Sequence, residues 1–162
     1  IIDKGKEFKI SPCGMLAMDT MRMESGFLHW GHDISPEENQ YQAGIQFAIS
    51  YKKNINFVGK KSLLKLKDKK PSKRLLMFTL INSKPGEPLL LHDEPIYLDD
   101  KIIGRTTSAN YSFCFQKNIF FGYVKDVEFN KLSSNLYVEV EKQKYPVKIL
   151  KKALNSKNFR SI

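Results

Sequence analysis

"EPIYLDDKIIGRTTS", residues 94–108, sets two short runs rich in β-branched and aromatic residues on either side of Asp99-Asp100. Such a pair of runs, separated by two turn-forming residues, predicts a β-hairpin. The same texture recurs outward from it. "RLLMFTLI" (74–81) lies upstream; "YSFCF" (111–115), "IFFGYVK" (119–125), "NLYVEVE" (135–141) and "YPVKIL" (145–150) lie downstream. Short strands at this spacing predict an all-β sandwich or barrel of six or seven strands. Residues 151–155 are expected to add one helical turn.

Upstream of this region the texture changes. "DKKPSK" (68–73) is polar and broken by proline, which marks a domain boundary. Before it, residues 11–25 read as a helix entered through Ser11-Pro12 and stopped by Gly26, with Leu16, Ala17, Met21 and Glu24 at helical spacings. Four of the five methionines fall here, and Met at such spacing reads as core filling. Residues 35–38 read as a turn with acids at its positive end. Residues 44–50, alternating through Ile45, Phe47 and Ile49, read as a strand. Gly59 leads into a short amphipathic helix around Leu63, Leu64 and Leu66. The fold class is therefore α+β, with residues 1–70 a mixed α/β unit and residues 71–162 a β domain.

The 162 residues are 41% hydrophobic, enough for one packed domain or two small ones. No run approaches the roughly 18 to 20 apolar residues of a membrane span, and no export signal is visible. The opening "IIDKGKEF" lacks an initiator methionine, which suggests a fragment or a processed product. Cys13 and Cys114 stand far apart without a motif and read as reduced core thiols, favouring a cytoplasmic setting. The net charge of +10 invites a nucleic-acid reading. With only four arginines, and lysines spread along the chain, a solvated basic surface outweighs a specific nucleic-acid face. No membrane partner is implied.

Four features bear on chemistry. His29, His32 and Asp33 have a spacing that metal ligands could use, but Gly31 separates them in a turn, so they read as loop His with a hydrogen-bonded or solvated Asp and no metal is expected there. Ser108 and the cysteines lack the context of a nucleophile. No phosphate-cradling glycine pattern is present, so no complete catalytic apparatus is encoded and no catalytic residue is assigned. Arg22 is the residue of interest. With Glu24 nearby to hold it, its guanidinium is a fixed fork of donors, and Trp30 offers a stacking surface. An ordinary ion pair beside a core-packed indole is the equal alternative.

"CGMLAMDTMRMESGFLHWGHDIS", then "QAGIQFAI", "FVGKKSL", "KRLLMFTL", "DEPIYLDDKIIGRTTSANYS" and "IFFGYVK" through "YPVKIL" resemble, in this order, the carboxy-terminal half of the glycine-cleavage T-protein (aminomethyltransferase) family. The Trp-Gly-His-Asp stretch is closer to the folate-binding region of dimethylglycine and sarcosine dehydrogenases. The resemblance implies the tail of a mixed α/β folate-binding subdomain followed by a small Greek-key β-barrel. It further implies a tetrahydrofolate-dependent one-carbon transfer enzyme, with folate and a small amine-derived adduct as its ligands. Arg22 would contact the folate, Trp30 would line the channel, and Phe159 and Arg160 would belong to a terminal segment near it. Gly104 and Thr107-Ser108 fit the family's G-x-x-T-S strand end, with Ala109 where glycine is usual. The family's catalytic aspartate lies in an amino-terminal half that this sequence does not contain, so the fragment alone is expected to be inactive. A flavin (FAD) domain further upstream would mark the dehydrogenase branch. The alternatives are a non-catalytic folate-binding or scaffold relative, or a basic nucleic-acid-associated module.

Overall fold

The computed structural model describes residues 1–53, 55–125 and 135–155. Six strands close into an antiparallel barrel: β1 (Lys73–Leu80), β2 (Pro95–Leu98), β3 (Lys101–Ser112), β4 (Lys117–Lys125), β5 (Leu136–Val140) and β6 (Gln143–Leu150). Their order around the barrel is β1-β4-β3-β2-β5-β6, with β6 returning to pair with β1. Hairpins join β2 to β3 and β3 to β4, while β1 lies beside β4, which is a Greek-key arrangement. Three helices precede the barrel, α1 (Ile2–Gly5), α2 (Met15–Glu24) and α3 (Lys60–Lys67), so the fold is α+β as expected. Among the described residues no helix is long and apolar enough to cross a membrane.

The opening hairpin turns where the sequence placed it. Leu98 pairs with Lys101, and Asp99 takes the left-handed conformation at φ 54°. The β5–β6 turn has positive φ at both Glu141 and Lys142, the geometry whose twist suits a hairpin, without the usual Asn-Gly signal.

Alternation along β1 divides the core in two. Leu76, Phe78 and Leu80 join Phe120 and Val124 inside the barrel. Leu75 and Met77 face the other way and join Ile119, Phe121 and Met23 of α2. Strands buried on both faces need few polar positions, which explains the apolar runs Leu75–Phe78 of β1 and Ile119–Phe121 of β4. At Gly122 a Cβ would fall 2.5 Å from Ile96 Cδ1 and 2.8 Å from the Arg105 carbonyl oxygen, so only glycine fits there.

Several local expectations are corrected. Residues 44–50 are not a strand: Gln46–Ala48 form a 3₁₀ turn closed by Ala48 N–H to Ile45 O and Ile49 N–H to Gln46 O. Among the described residues no neighbouring strand pairs with this segment, so its backbone bonds locally. "YSFCF" is not a separate strand either, because Tyr111 and Ser112 end β3 and residues 113–116 form the hairpin turn. Residues 151–155 make bends and a turn rather than a helical turn. Of the four methionines in α2, Met23 alone is core. The helix buries only its last turn, leaving Met15, Met18 and Met21 exposed. Cys13 and Cys114 are free and exposed, not core thiols.

Candidate ligand-facing site

The last turn of α2 and the loop after it create the site. Gly26, at φ 77°, ends the helix: Phe27 N–H donates to Arg22 O and Gly26 N–H to Met23 O, the paired closure of a Schellman motif. This reversal brings the Phe27 carbonyl to 3.1 Å from Arg22 Nη1. A second tight turn, with Asp33 N–H donating to His29 O at 2.8 Å, folds the Asp33 side chain back beneath the loop.

Arg22 is then held from four directions. Nε donates to Asp19 Oδ1 at 2.7 Å, Nη1 to Phe27 O and to Asp33 Oδ2 at 2.7 Å, and Nη2 to Ser108 Oγ at 2.9 Å. Asp33 is 1% exposed and equally engaged. Its Oδ2 also accepts the His29 N–H at 2.8 Å, and its Oδ1 accepts the Thr107 hydroxyl at 2.6 Å. The Tyr123 hydroxyl donates to the Asp33 carbonyl at 2.9 Å. Burial, helped by the charges of Glu38 and Asp33, pushes the Tyr123 phenol well above its ordinary pKa, so it stays a neutral donor. The barrel and the helix-loop segment are thereby tied through one ionic knot.

The predicted residues are only partly brought together. Arg22 sits in the knot, partnered by Asp19 and Asp33 and not by Glu24. Asp19 lies one helical turn before Arg22, a spacing legible in the sequence. Trp30 is in the adjacent turn and 64% exposed, so it is not a core-packed indole. Phe159 and Arg160 lie outside the described residues. His29 and His32 place their rings 4.6 Å apart, but the Asp33 carboxylate faces Arg22 and Thr107. Among the described residues no group of three His, Cys, Asp or Glu side chains converges as metal ligands. The sequence reading took Asp33 as a hydrogen-bonded or solvated loop residue rather than a metal ligand, without naming Arg22 as its partner, and gave Thr107 no partner.

Glu24 turns instead to β3, where Oε1 accepts the Ser112 hydroxyl at 2.6 Å with both residues buried. It also lines an apolar groove of about 630 Å³ between α2, residues 85–91 and the β3–β4 turn. Ser112→Ala is expected to destabilise the protein by about 1–3 kcal/mol, because it removes a donor from a buried carboxylate. The shift of the urea midpoint measures it, and no shift would mean that Ser112 does not support Glu24.

Comparison with known proteins places this geometry among relatives. Residues 73–154 match the family described as the glycine cleavage T-protein C-terminal barrel domain, and residues 1–53 match the GCVT N-terminal domain. The chain is 30% identical over 154 residues to the mitochondrial dimethylglycine dehydrogenase of Homo sapiens, covering 95% of this chain and 17% of that protein. It is 32% identical over 124 residues to an aminomethyltransferase of Symbiobacterium thermophilum, covering 76% of this chain and 32% of the relative. The crystal structure of the glycine cleavage system aminomethyltransferase T from Bartonella henselae superposes with a TM-score of 0.75 at 20% identity. That match covers 90% of this chain and 40% of the other, and shows a shared fold. The chain thus spans about a sixth of the dehydrogenase and about a third of the aminomethyltransferase.

Proposed function

The chain belongs to the glycine cleavage T-protein family, and from that premise we propose that it forms the carboxy-terminal portion of a tetrahydrofolate-dependent one-carbon transfer protein. The parent would be of the aminomethyltransferase or the dimethylglycine/sarcosine dehydrogenase type and would act on an amine-derived one-carbon adduct. Residues 1–70 would complete a folate-binding subdomain and residues 71–162 the barrel that buttresses it. Tetrahydrofolate supplies the nitrogen that receives the one-carbon unit.

The observation that supports the reading is the immobilised guanidinium of Arg22, bonded to Asp33 in the same turn that carries the exposed Trp30. Of its five N–H donors, four are engaged among the described residues. A guanidinium fixed this way, with one donor unengaged among the described residues and a flat aromatic face in the neighbouring turn, fits a ligand that combines an aromatic ring with a hydrogen-bond acceptor. Arg22 would offer its remaining N–H to a ligand oxygen, and Trp30 would cover the ring. In this reading Arg22 and Trp30 position the ligand and move no proton to a reacting atom.

Titration with folinate, followed at the indole N–H proton signal of the single tryptophan, tests the reading. Wild type is expected to show a saturable shift with a Kd on the order of millimolar, weak because upstream groups do not contribute. Arg22→Ala should weaken it by about ten- to a hundredfold, the loss of a charge-assisted hydrogen bond. Arg22→Lys should recover part of the loss, since it keeps the charge without the planar fork. A wild-type signal that never saturates, or an affinity unchanged in Arg22→Ala, would sink the folate reading.

A further inference from the structure

The pairing of β3 with β4 slips at one place. Thr106 stands opposite Gly122 and Ser108 opposite Phe121, leaving Thr107 as an extra residue in β3. In a regular strand neighbouring side chains point to opposite faces, so Thr107 and Ser108 could not reach the same target. Here they do. The Thr107 hydroxyl donates to Asp33 Oδ1, while Ser108 Oγ accepts from Arg22 Nη2. Two adjacent residues of one strand thus grip both halves of a single ion pair, across 74 and 86 residues of sequence.

We propose that this β-bulge is a positioning device: it aims Thr107 and Ser108 together so that the barrel, through Asp33, sets the orientation in which Arg22 meets its ligand. A bulge re-aims side chains at the cost of an unpaired residue in the ladder, and that cost is offset here by two hydrogen bonds to a charged pair. Thr106 keeps the strand anchored on the other side of the slip. Its hydroxyl donates to Leu91 O and accepts the Glu94 N–H, so the residues that follow are free to turn outward. Thr107 and Ser108 touch neither substrate nor reacting atoms in this scheme. They act through Asp33 and Arg22, and the inference rests on the folate reading of Arg22.

The test uses the full chain with Thr107→Val, Thr107→Ser and Ser108→Ala, beside Arg22→Ala as reference. Nitrogen-15 NMR of the Arg22 side chain resolves its separate Nη signals only while both amino groups are held by partners. Thr107→Val should merge or broaden those signals and lower folinate affinity by about fivefold to tenfold. Its melting temperature should fall by only a few degrees, roughly the loss of one hydrogen bond. Thr107→Ser, which keeps the hydroxyl, should restore both the signals and the affinity to within about twofold. Ser108→Ala should disturb the Nη2 signal first, and it provides a second reading should Thr107→Val fail to fold. Resolved Nη signals together with unchanged affinity in Thr107→Val would overturn the positioning role. Affinity lost in Arg22→Ala but intact in both barrel variants would overturn it too, while leaving the folate reading standing. Affinity intact in Arg22→Ala would remove the folate reading itself, and the inference with it.

Discussion

Asp33→Ala should destabilise the protein by about 3–5 kcal/mol, because it removes the fully buried carboxylate of the knot and leaves Arg22 paired only with the partly exposed Asp19. The Asp33 side chain is fully buried and that of Arg22 is 14% exposed, so water cannot easily replace the lost partner. Three donors lose their acceptor at once: Arg22 Nη1, the His29 amide and the Thr107 hydroxyl. For a chain of this length the melting temperature should fall by roughly 10 °C or more. Asp33→Asn keeps the shape and one carbonyl acceptor, and should lose distinctly less. Calorimetric melting of both variants measures the difference. A loss under about 1 kcal/mol for Asp33→Ala would mean that the pair behaves as a solvated surface bridge.

The second large effect belongs to the barrel interior. Phe120 is fully buried and stacks on Phe78 with ring centroids 4.9 Å apart and planes 9° from parallel. Phe120→Ala removes most of that packing and leaves a cavity in a closed barrel that has little room to collapse. The expected loss is about 3–5 kcal/mol. Phe120→Leu should cost markedly less, since it refills much of the volume. Denaturant unfolding followed by circular dichroism reads both, and equal losses would show that volume is not what Phe120 supplies.

The sequence made the barrel legible because its signals are local. The apolar-rich runs at 74–81 and 119–125 and the Asp99-Asp100 turn each act within a few residues, and all three proved structural. The false strand at 44–50 came from the same kind of signal. Alternation through Ile45, Phe47 and Ile49 describes a strand only if a neighbour pairs with it, and sequence pattern does not record neighbours. The site suffered from the same limit. Arg22 stood out by its chemistry and Asp19 by its helical spacing, whereas Ser108 is joined to Arg22 from 86 residues away. Glu24 looked like the partner of Arg22 because it is near in sequence, yet two positions along a helix point about 200° apart. The helix turns Glu24 toward β3 and Arg22 toward the loop.

The double burial of β1 and β4 has a consequence for how this protein can vary. β5 alternates buried with half-buried positions and half of β6 is exposed, and the exposed places can drift among polar residues at little cost. Across β1 and β4 nearly every position serves either the barrel interior or the floor beneath α2, so a mutation has almost nowhere harmless to fall. A larger residue at Met77 would press on the cluster that holds Met23 of α2, and one at Phe78 would press on the barrel lining, although the two are neighbours in the chain. These two strands are therefore the part of the molecule with the least evolutionary slack. Changes there would be accepted mainly in compensating pairs, one on the strand and one on whatever faces it.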